Sequence, residues 1–376
     1  MSADLWRNWG TVSVSAGVLS LALLGDTLLY VILPVNAEAF GIGLVWVGVL
    51  LAANRLIRIG LYGAIAAFGE AVGPKNLTVI GAGAAAVSTL MLWLVDGGPL
   101  LLAARILWGL AFAGLSLAVL SYAVADKSRA GSRVGVGRSI QQIGPVLALS
   151  AGAWLAGIVG PREIFMILGV ISLAALPLAL LLPKVVNRPE RKKTIWLPRP
   201  VPLDMFFFVV GFAVDGVFVM TIALVLTKTV SPETAVFAAG LILALRRFGE
   251  MTLSPIAGIL GDRVGTGRLL FLATILLAVG FALLAIDHPY AGSAFVIVAR
   301  AAIAAVGPAM VAQRAPEHTT MYRLAVMQTW RDFGAAVGPL VTGALLEITE
   351  ANMLYWGLVG FVLLGLTAQR RPAERG

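Results

Sequence analysis

The chain reads as long apolar runs separated by short polar stretches. The runs are continuous rather than alternating, so they predict helices and not strands. A span needs about 20 apolar residues, and open strand edges find no hydrogen-bond partners in lipid. A membrane β-barrel would alternate at every second residue, and this chain does not. The pattern predicts an all-α integral membrane protein with twelve transmembrane helices. They fall at 11–34, 43–66, 77–95, 98–123, 138–160, 163–182, 203–227, 233–259, 268–287, 289–312, 326–348 and 350–369. The first run, Thr11 to Pro34, is too long for the core of a cleavable signal peptide and is expected to stay as a span.

Polar residues divide the pattern in two. Pro183 to Pro202 is basic and proline-rich, and it reads as a tether, with a surface helix as the other possibility. It separates 1–182 from 203–376, each with six predicted helices. Basic residues also set an expected orientation. Lys127, Arg129 and Arg133 follow helix 4; Lys184, Arg188, Arg191, Lys192, Lys193 and Arg199 follow helix 6; Arg370, Arg371 and Arg375 end the chain. The alternate loops are short and carry Glu38, Asp96, Asp287, Glu347 and Glu350. Lys and Arg collect on the cytoplasmic side, so both termini are expected there.

A weak repeat links the two parts. Asn54-Arg55-Leu56-Ile57-Arg58 leads through an apolar stretch to Gly69-Glu70-Ala71-Val72-Gly73. Arg246-Arg247-Phe248-Gly249-Glu250 leads through another to Gly261-Asp262-Arg263-Val264-Gly265. Arg55 precedes Glu70 by the same interval that separates Arg247 from Asp262. Two-fold internal repetition is a mark of secondary transporters. An Asp-Arg pair between glycines cannot lie in hydrocarbon, so this stretch is expected to be a tight turn at the surface. Asp262 suits a neighbouring helix N-terminus, and Arg263 suits helix-end carbonyls.

These residues carry a resemblance. Gly258-x-x-x-Asp262-Arg263-x-Gly265 with Arg268 resembles the signature loop of the major facilitator superfamily of transporters. Ala104-Arg105-Ile106-Leu107-Trp108-Gly109 resembles its arginine-bearing helix 4 motif. Gly144-Pro145 with Gly152, and Gly334-Ala335-Ala336-Val337-Gly338-Pro339 with Gly343, resemble the Gly-Pro motif of its antiporters; ordinary glycine packing between helices explains them equally. The first-half loop departs from the pattern, with Ala66 for the first glycine and Glu70-Ala71 for Asp-Arg. The resemblance implies two pseudo-symmetric six-helix bundles that alternate access to a midplane site. It also implies a gating role for Glu70, Gly258, Asp262, Arg263, Gly265 and Arg268. Asp262 would support the inward-closed packing of the halves, near Arg138 at the start of helix 5.

Composition narrows the function. Of the chain, 59% is hydrophobic and 12% charged, outside the range of soluble domains. The net charge of +9 follows the loops between spans and so reads as topology rather than nucleic-acid binding. There is no cysteine and there are two histidines, His288 and His318, both in predicted loops, so no metal or cofactor site is expected. No Gly-x-Ser-x-Gly elbow or His-Glu-x-x-His helix suggests an enzyme, and no phosphate-binding Gly-Lys-Ser/Thr loop suggests ATP drive. A passive channel or a membrane-embedded enzyme stays as the alternative of another class, with paired charges in two matching halves weighing on the side of a transporter. The expected partners are a small-molecule substrate, protons and the bilayer of a bacterial inner membrane, with the protein acting as a monomer.

Charge inside a span costs about 2.5–3.5 kcal/mol on insertion scales, so each such residue is a candidate. The arginines are Arg55, Arg58, Arg105, Arg246, Arg247, Arg300 and Arg331; the acids are Asp26, Asp215, Glu250 and Asp332. Depth matches Asp26 to Arg105, and Asp215 to Arg300, as substrate or proton sites or as structural ion pairs. Glu250 is expected to pair with Arg247, and Asp332 with Arg331, leaving Arg55, Arg58 and Arg246 in surplus. Arg58 is near enough to a helix end to snorkel; Arg55 is not. Tyr30, Gln142 and Trp330 complete the candidates as groups able to hydrogen-bond or stack. Asp26, then Asp215, are the expected proton sites, because coupling needs a carboxylate that changes ionisation. In the family's fold Arg55 and Arg246 approach one ligand from opposite halves. Their surplus charge points to an anionic solute, such as a carboxylate metabolite or carboxylate siderophore, or to water at the mouth. Asp26 keeps drug export as the alternative.

Overall fold

The structure is a computed structural model, and it describes residues 9–184, 199–228 and 230–370. The basic residues expected to form a tether therefore lie largely outside the described residues, as do Arg371 and Arg375. Apolar segments of spanning length become helices, because a helix satisfies every interior N–H and C=O within itself. We number them α1 (Thr11–Val35), α2 (44–72), α3 (74–94), α4 (Gly98–Val124), α5 (Lys127–Val159), α6 (Glu163–Leu180), α7 (Pro202–Leu226), α8 (Pro232–Val264), α9 (Thr266–Ala285), α10 (Pro289–Arg314), α11 (Thr320–Leu346) and α12 (Ala351–Arg370).

Among the described residues, nine stretches are long and apolar enough to cross a membrane, with α2 and α3 together in one of them, and α8 and α11 are not among the nine. Those two carry Arg246, Arg247 and Glu250, and Arg331 and Asp332. The helices that hydropathy ranks lowest are thus the ones richest in candidate chemistry.

The two glycine-flanked stretches differ from the expected surface turns. Asp262 and Arg263 lie in the last helical turn of α8, and Glu70 lies near the end of α2. The reversal is confined to one residue in each copy, Gly265 at φ 100° and Gly73 at φ 82°. A side chain is strained at positive φ, so glycine takes that position in both. The equivalence of Gly73 and Gly265 is the repeat expressed as backbone geometry. Helices α5 and α11 also begin earlier than the apolar pattern predicted, because their polar first turns extend past the apolar stretch.

The chain forms two compact units. The first comprises Met1–Asp126 and Ser139–Leu197, the second Lys127–Arg138 and Pro198–Gly376. The first turns of α5 therefore pack with the second unit. In the first unit, Leu28, Leu29, Phe40, Leu101, Ile164 and Phe165 form one core cluster. Ala16, Leu19, Ala82, Trp108 and Leu115 anchor another. Alanine and glycine at these helix faces let backbones approach, which is how helices associate without a hydrophobic driving force. The amide of Gly144 on α5 donates to Ser20 Oγ on α1 at 2.7 Å, and a Cβ there would collide with the Ser20 carbonyl.

In the second unit, Gly334 and Gly338 of α11 lie against α7. A Cβ on Gly334 would meet the Phe208 carbonyl and sit 2.9 Å from the Phe212 nitrogen. One on Gly338 would sit 2.8 Å from both Gly216 Cα and the Phe212 carbonyl. The glycine motif of α11 thus makes a close helix crossing. Within α7, residues Gly211–Phe218 form a π-helical segment, and Asp215 is inside it. Such segments are rare and are often found at functional sites.

Candidate functional site

In the first unit, Arg105 of α4 and Asp26 of α1 form an ion pair, with Nη1 to Oδ1 at 2.7 Å. Arg105 is 1% exposed and Asp26 14%. An arginine this deep stays charged, so it must find acceptors in the protein. Its Nε donates to the Leu50 carbonyl of α2 at 3.0 Å, and its guanidinium lies 5.7 Å from the Tyr30 ring centre. Asn54 of α2 donates to Asp26 Oδ1 at 3.4 Å. The Tyr30 hydroxyl donates to the Leu51 carbonyl at 3.1 Å and to Asn54 Oδ1 at 3.4 Å. Three helices therefore meet at one charge pair, and α2 contributes backbone carbonyls as well as an amide side chain.

Asn54 was not among the candidates read from sequence. The available signal was an amide in an apolar run, adjacent to Arg55. One turn on, Arg58 is buried, with its guanidinium 4.4 Å from the Phe112 ring centre. The aromatic face offers it negative quadrupole charge. Arg55 is half-buried on the same helix, and Gln142 is buried on α5.

In the second unit the charges form a chain rather than isolated pairs. Arg246 Nη1 of α8 bonds Asp215 Oδ1 of α7 at 2.7 Å. Arg300 Nη2 of α10 reaches Asp215 Oδ2 at 3.3 Å, and Arg300 Nε lies 3.8 Å from Glu250 Oε1 of α8. Arg331 of α11 bonds its neighbour Asp332 at 2.9 Å and acts electrostatically on Asp215. The expected Asp215–Arg300 and Arg331–Asp332 pairs form. Arg246 is not a surplus cation, as sequence suggested, but the tightest partner of Asp215. Depth alone missed this because Arg246 and Arg247 point in different directions around α8. Glu250, expected beside Arg247, also lies within ion-pair distance of Arg300. Trp330 packs edge-on against Phe208 and Phe333, beside the α7–α11 crossing.

Asp262 accepts from the Gly131 and Ser132 amides, Oδ1 and Oδ2 each at 2.8 Å. Both amides are at the start of α5, where unpaired N–H groups favour an anion. A Cβ on Gly131 would lie 2.7 Å from the Gly258 carbonyl and 2.6 Å from Asp262 Oδ1, so glycine favours this close approach. Arg138, the expected neighbour, is half-buried further along α5. Lys127 Nζ donates to the Ala315 carbonyl at 2.9 Å, and Gln313 donates to the Lys127 carbonyl at 3.1 Å. Arg263 and Arg268 are exposed. A further pair, Asp204 Oδ2 with Arg323 Nη2 at 2.9 Å, ties the starts of α7 and α11; neither residue is among the candidates read from sequence.

Known proteins agree with this architecture. The sequence model of the Major Facilitator Superfamily matches residues 16–227 and again 205–375. A methyl viologen resistance protein, SmvA, of Salmonella typhimurium is 33% identical over 135 residues. That stretch is 32% of this chain and 26% of SmvA, so the chain aligns with about a quarter of the length of that relative. The human organic anion transporter MFSD10 has a similar structure, with a TM-score of 0.78 at 15% identity over 96% of this chain and 99% of that one. The fucose:proton symporter FucP of E. coli gives a TM-score of 0.73 at 12% identity over 96% and 98%. Likeness at such low identity is likeness of fold. The two matches to the family model span both parts of the chain, and this integral membrane protein belongs to the Major Facilitator Superfamily, a family of transporters rather than enzymes.

Proposed function

We propose that the protein is a proton-coupled secondary transporter of a small organic anion, with Asp26–Arg105 as the coupling pair. The observation that carries this reading is Asp26. It is a single carboxylate inside a span, bonded to a buried arginine and still 14% exposed. An exposed edge gives a proton access, and loss of the carboxylate charge would release Arg105 and alter its ties to α2. The convergence of arginines on α8, α10 and α11 supports an anionic solute, a carboxylate metabolite or carboxylate siderophore, because guanidinium forks match carboxylates bidentately. The basic stretches after α4 and α6 support cytoplasmic termini.

The SmvA stretch favours a second reading, proton-coupled export of lipophilic cations. The two readings separate in proteoliposomes. With a pH gradient imposed, a labelled carboxylate is expected to accumulate and to leak out when a protonophore is added. Accumulation insensitive to the protonophore would overturn the coupling. Accumulation of methyl viologen, with no carboxylate moved, would establish the second reading.

The Asp262 contact is proposed to hold the start of α5 in one state of the cycle. Asp262→Asn keeps the shape but sets an amide NH2 against a backbone N–H. It also removes a charge-assisted bond worth about 1.5–3 kcal/mol. Initial uptake is expected to fall about tenfold at unchanged expression. Unchanged uptake would reduce Asp262 to a helix-end residue.

A further inference from the structure

The second unit holds a cavity of about 530 Å³ between α7, α11 and α12. That volume is within the range of small-molecule sites, about 300–1,000 Å³. Phe212 and Val217 wall it on α7, Thr342 and Leu345 on α11, and residues from Met353 to Leu364 on α12. Thr342 is the one polar side chain in the wall, and its hydroxyl donates to the Gly338 carbonyl at 2.7 Å. A charged solute would lose its water there and gain no side-chain partner. The wall suits hydrocarbon.

The groove opens where the bilayer supplies hydrocarbon. Met353 and Leu364 line the cavity and are 69% and 66% exposed, and outward from a spanning helix is lipid. A Cβ at Gly357 or Gly360 would meet nothing within 4 Å. Three residues apart, these glycines share a face of α12 and leave it hollow. From Met353 to Leu364 the helix climbs about 16 Å at 1.5 Å per residue. One leaflet of a hydrocarbon core about 30 Å thick is about 15 Å. The groove is therefore one leaflet long. Left empty, its walls would lack dispersion partners.

A polar rim stands where α12 begins. Asn352, next to Met353, accepts from Lys228 Nζ at 2.8 Å and donates to Asp287 at 3.0 Å. Lys228 Nζ lies 3.6 Å from Asp287 and 3.6 Å from Glu350. Glu347 is exposed in the same connection as Glu350. The rim thus sets a single lysine among several acids. A phosphate diester suits Lys228, and an ammonium with N–H donors suits the exposed Glu350. A purely anionic headgroup would meet excess negative charge.

We propose that this groove is a phospholipid site. One acyl chain lies between α7, α11 and α12, and a phosphatidylethanolamine headgroup sits on the rim, phosphate at Lys228 and ammonium at Glu350. The site shares no residue with the charge pairs assigned to transport, and it stands whichever solute is carried.

The test is photolabelling of the full-length protein in phosphatidylcholine vesicles. Each sample carries a trace of one lipid with a diazirine on its acyl chain and an ethanolamine, choline or glycerol headgroup. Mass spectrometry maps the label. Label is expected to concentrate on 353–364, with α6 as the reference, since its Met166, Val170 and Ile171 are also exposed. The ethanolamine lipid is expected to label this stretch about threefold more than the other two, as an exposed ion pair of about 0.2–1 kcal/mol allows. Gly357→Leu combined with Gly360→Leu fills the hollow without a clash at either Cβ and is expected to lower the label to the α6 level. Glu350→Gln is expected to remove the preference for ethanolamine. The wild-type map stands even where a variant fails to fold. Label no denser on α12 than on α6 overturns the proposal, as does equal labelling by the three lipids. Label unchanged in the double glycine variant, or a preference that survives Glu350→Gln, overturns it too. Displacement of the label by methyl viologen or benzoate would make the cavity a solute site and would equally overturn it.

Discussion

Asp26→Asn is expected to abolish gradient-driven accumulation, down to the level of protein-free vesicles, while substrate-for-substrate exchange continues. The substitution is nearly isosteric. Its amide oxygen still accepts from Arg105, and Arg105 keeps the Leu50 carbonyl and the Tyr30 ring. What is lost is the ability to gain and lose a proton. Removing one partner of a buried ion pair costs about 3–5 kcal/mol when nothing replaces it. Here the retained acceptors hold the cost well below that, so the folded protein is expected to be recovered. Counterflow needs binding and reorientation but no net proton movement, and it separates coupling from substrate recognition. Accumulation that persists and still follows pH would place the proton elsewhere.

Gly334→Ala is expected to be strongly damaging to the second unit. The new Cβ would meet the Phe208 carbonyl and lie 2.9 Å from the Phe212 nitrogen. Both are backbone atoms of α7, so no rotamer change relieves the overlap. Overpacking of this kind costs about 3 kcal/mol. The melting temperature in detergent is expected to fall by several degrees, with recovery reduced in proportion. Gly240, which has open space around its Cβ position, supplies the control, and Gly240→Ala should be neutral or slightly stabilising. Equal melting temperatures for the two variants would show that the α7–α11 crossing relaxes freely.

Much of this was legible in the sequence for a simple reason. Lipid forces long apolar runs to become helices, so the pattern gives spans, the repeat and the place of each charge. The Asp26–Arg105 pair followed from depth alone because each partner is the sole charge on its helix. Depth failed where charges are crowded. Arg246 and Arg247 are adjacent, and only rotation about α8 decides which reaches Asp215. The partner of Asp262 was hidden for another reason: backbone amides carry no signature in sequence. Expectation turned to Arg138, where the apolar pattern starts the fifth helix, although the polar first turn of α5 holds the donors. The carbonyls of Leu50 and Leu51 were invisible in the same way, whereas Asn54 carried a signal, an amide side chain in an apolar run. The expected surface turns failed at their boundaries, because helix α8 continues past its apolar stretch until Gly265 breaks it.

The most direct test of the account is proton movement driven by the solute itself. Protein is reconstituted into liposomes that trap a pH-sensitive dye, with no initial pH difference and the membrane potential clamped at zero. Addition of a transported carboxylate down its own gradient is expected to shift the internal pH in wild-type vesicles and to leave Asp26→Asn vesicles unchanged. A carboxylate that enters wild-type vesicles with no movement of protons would contradict the account.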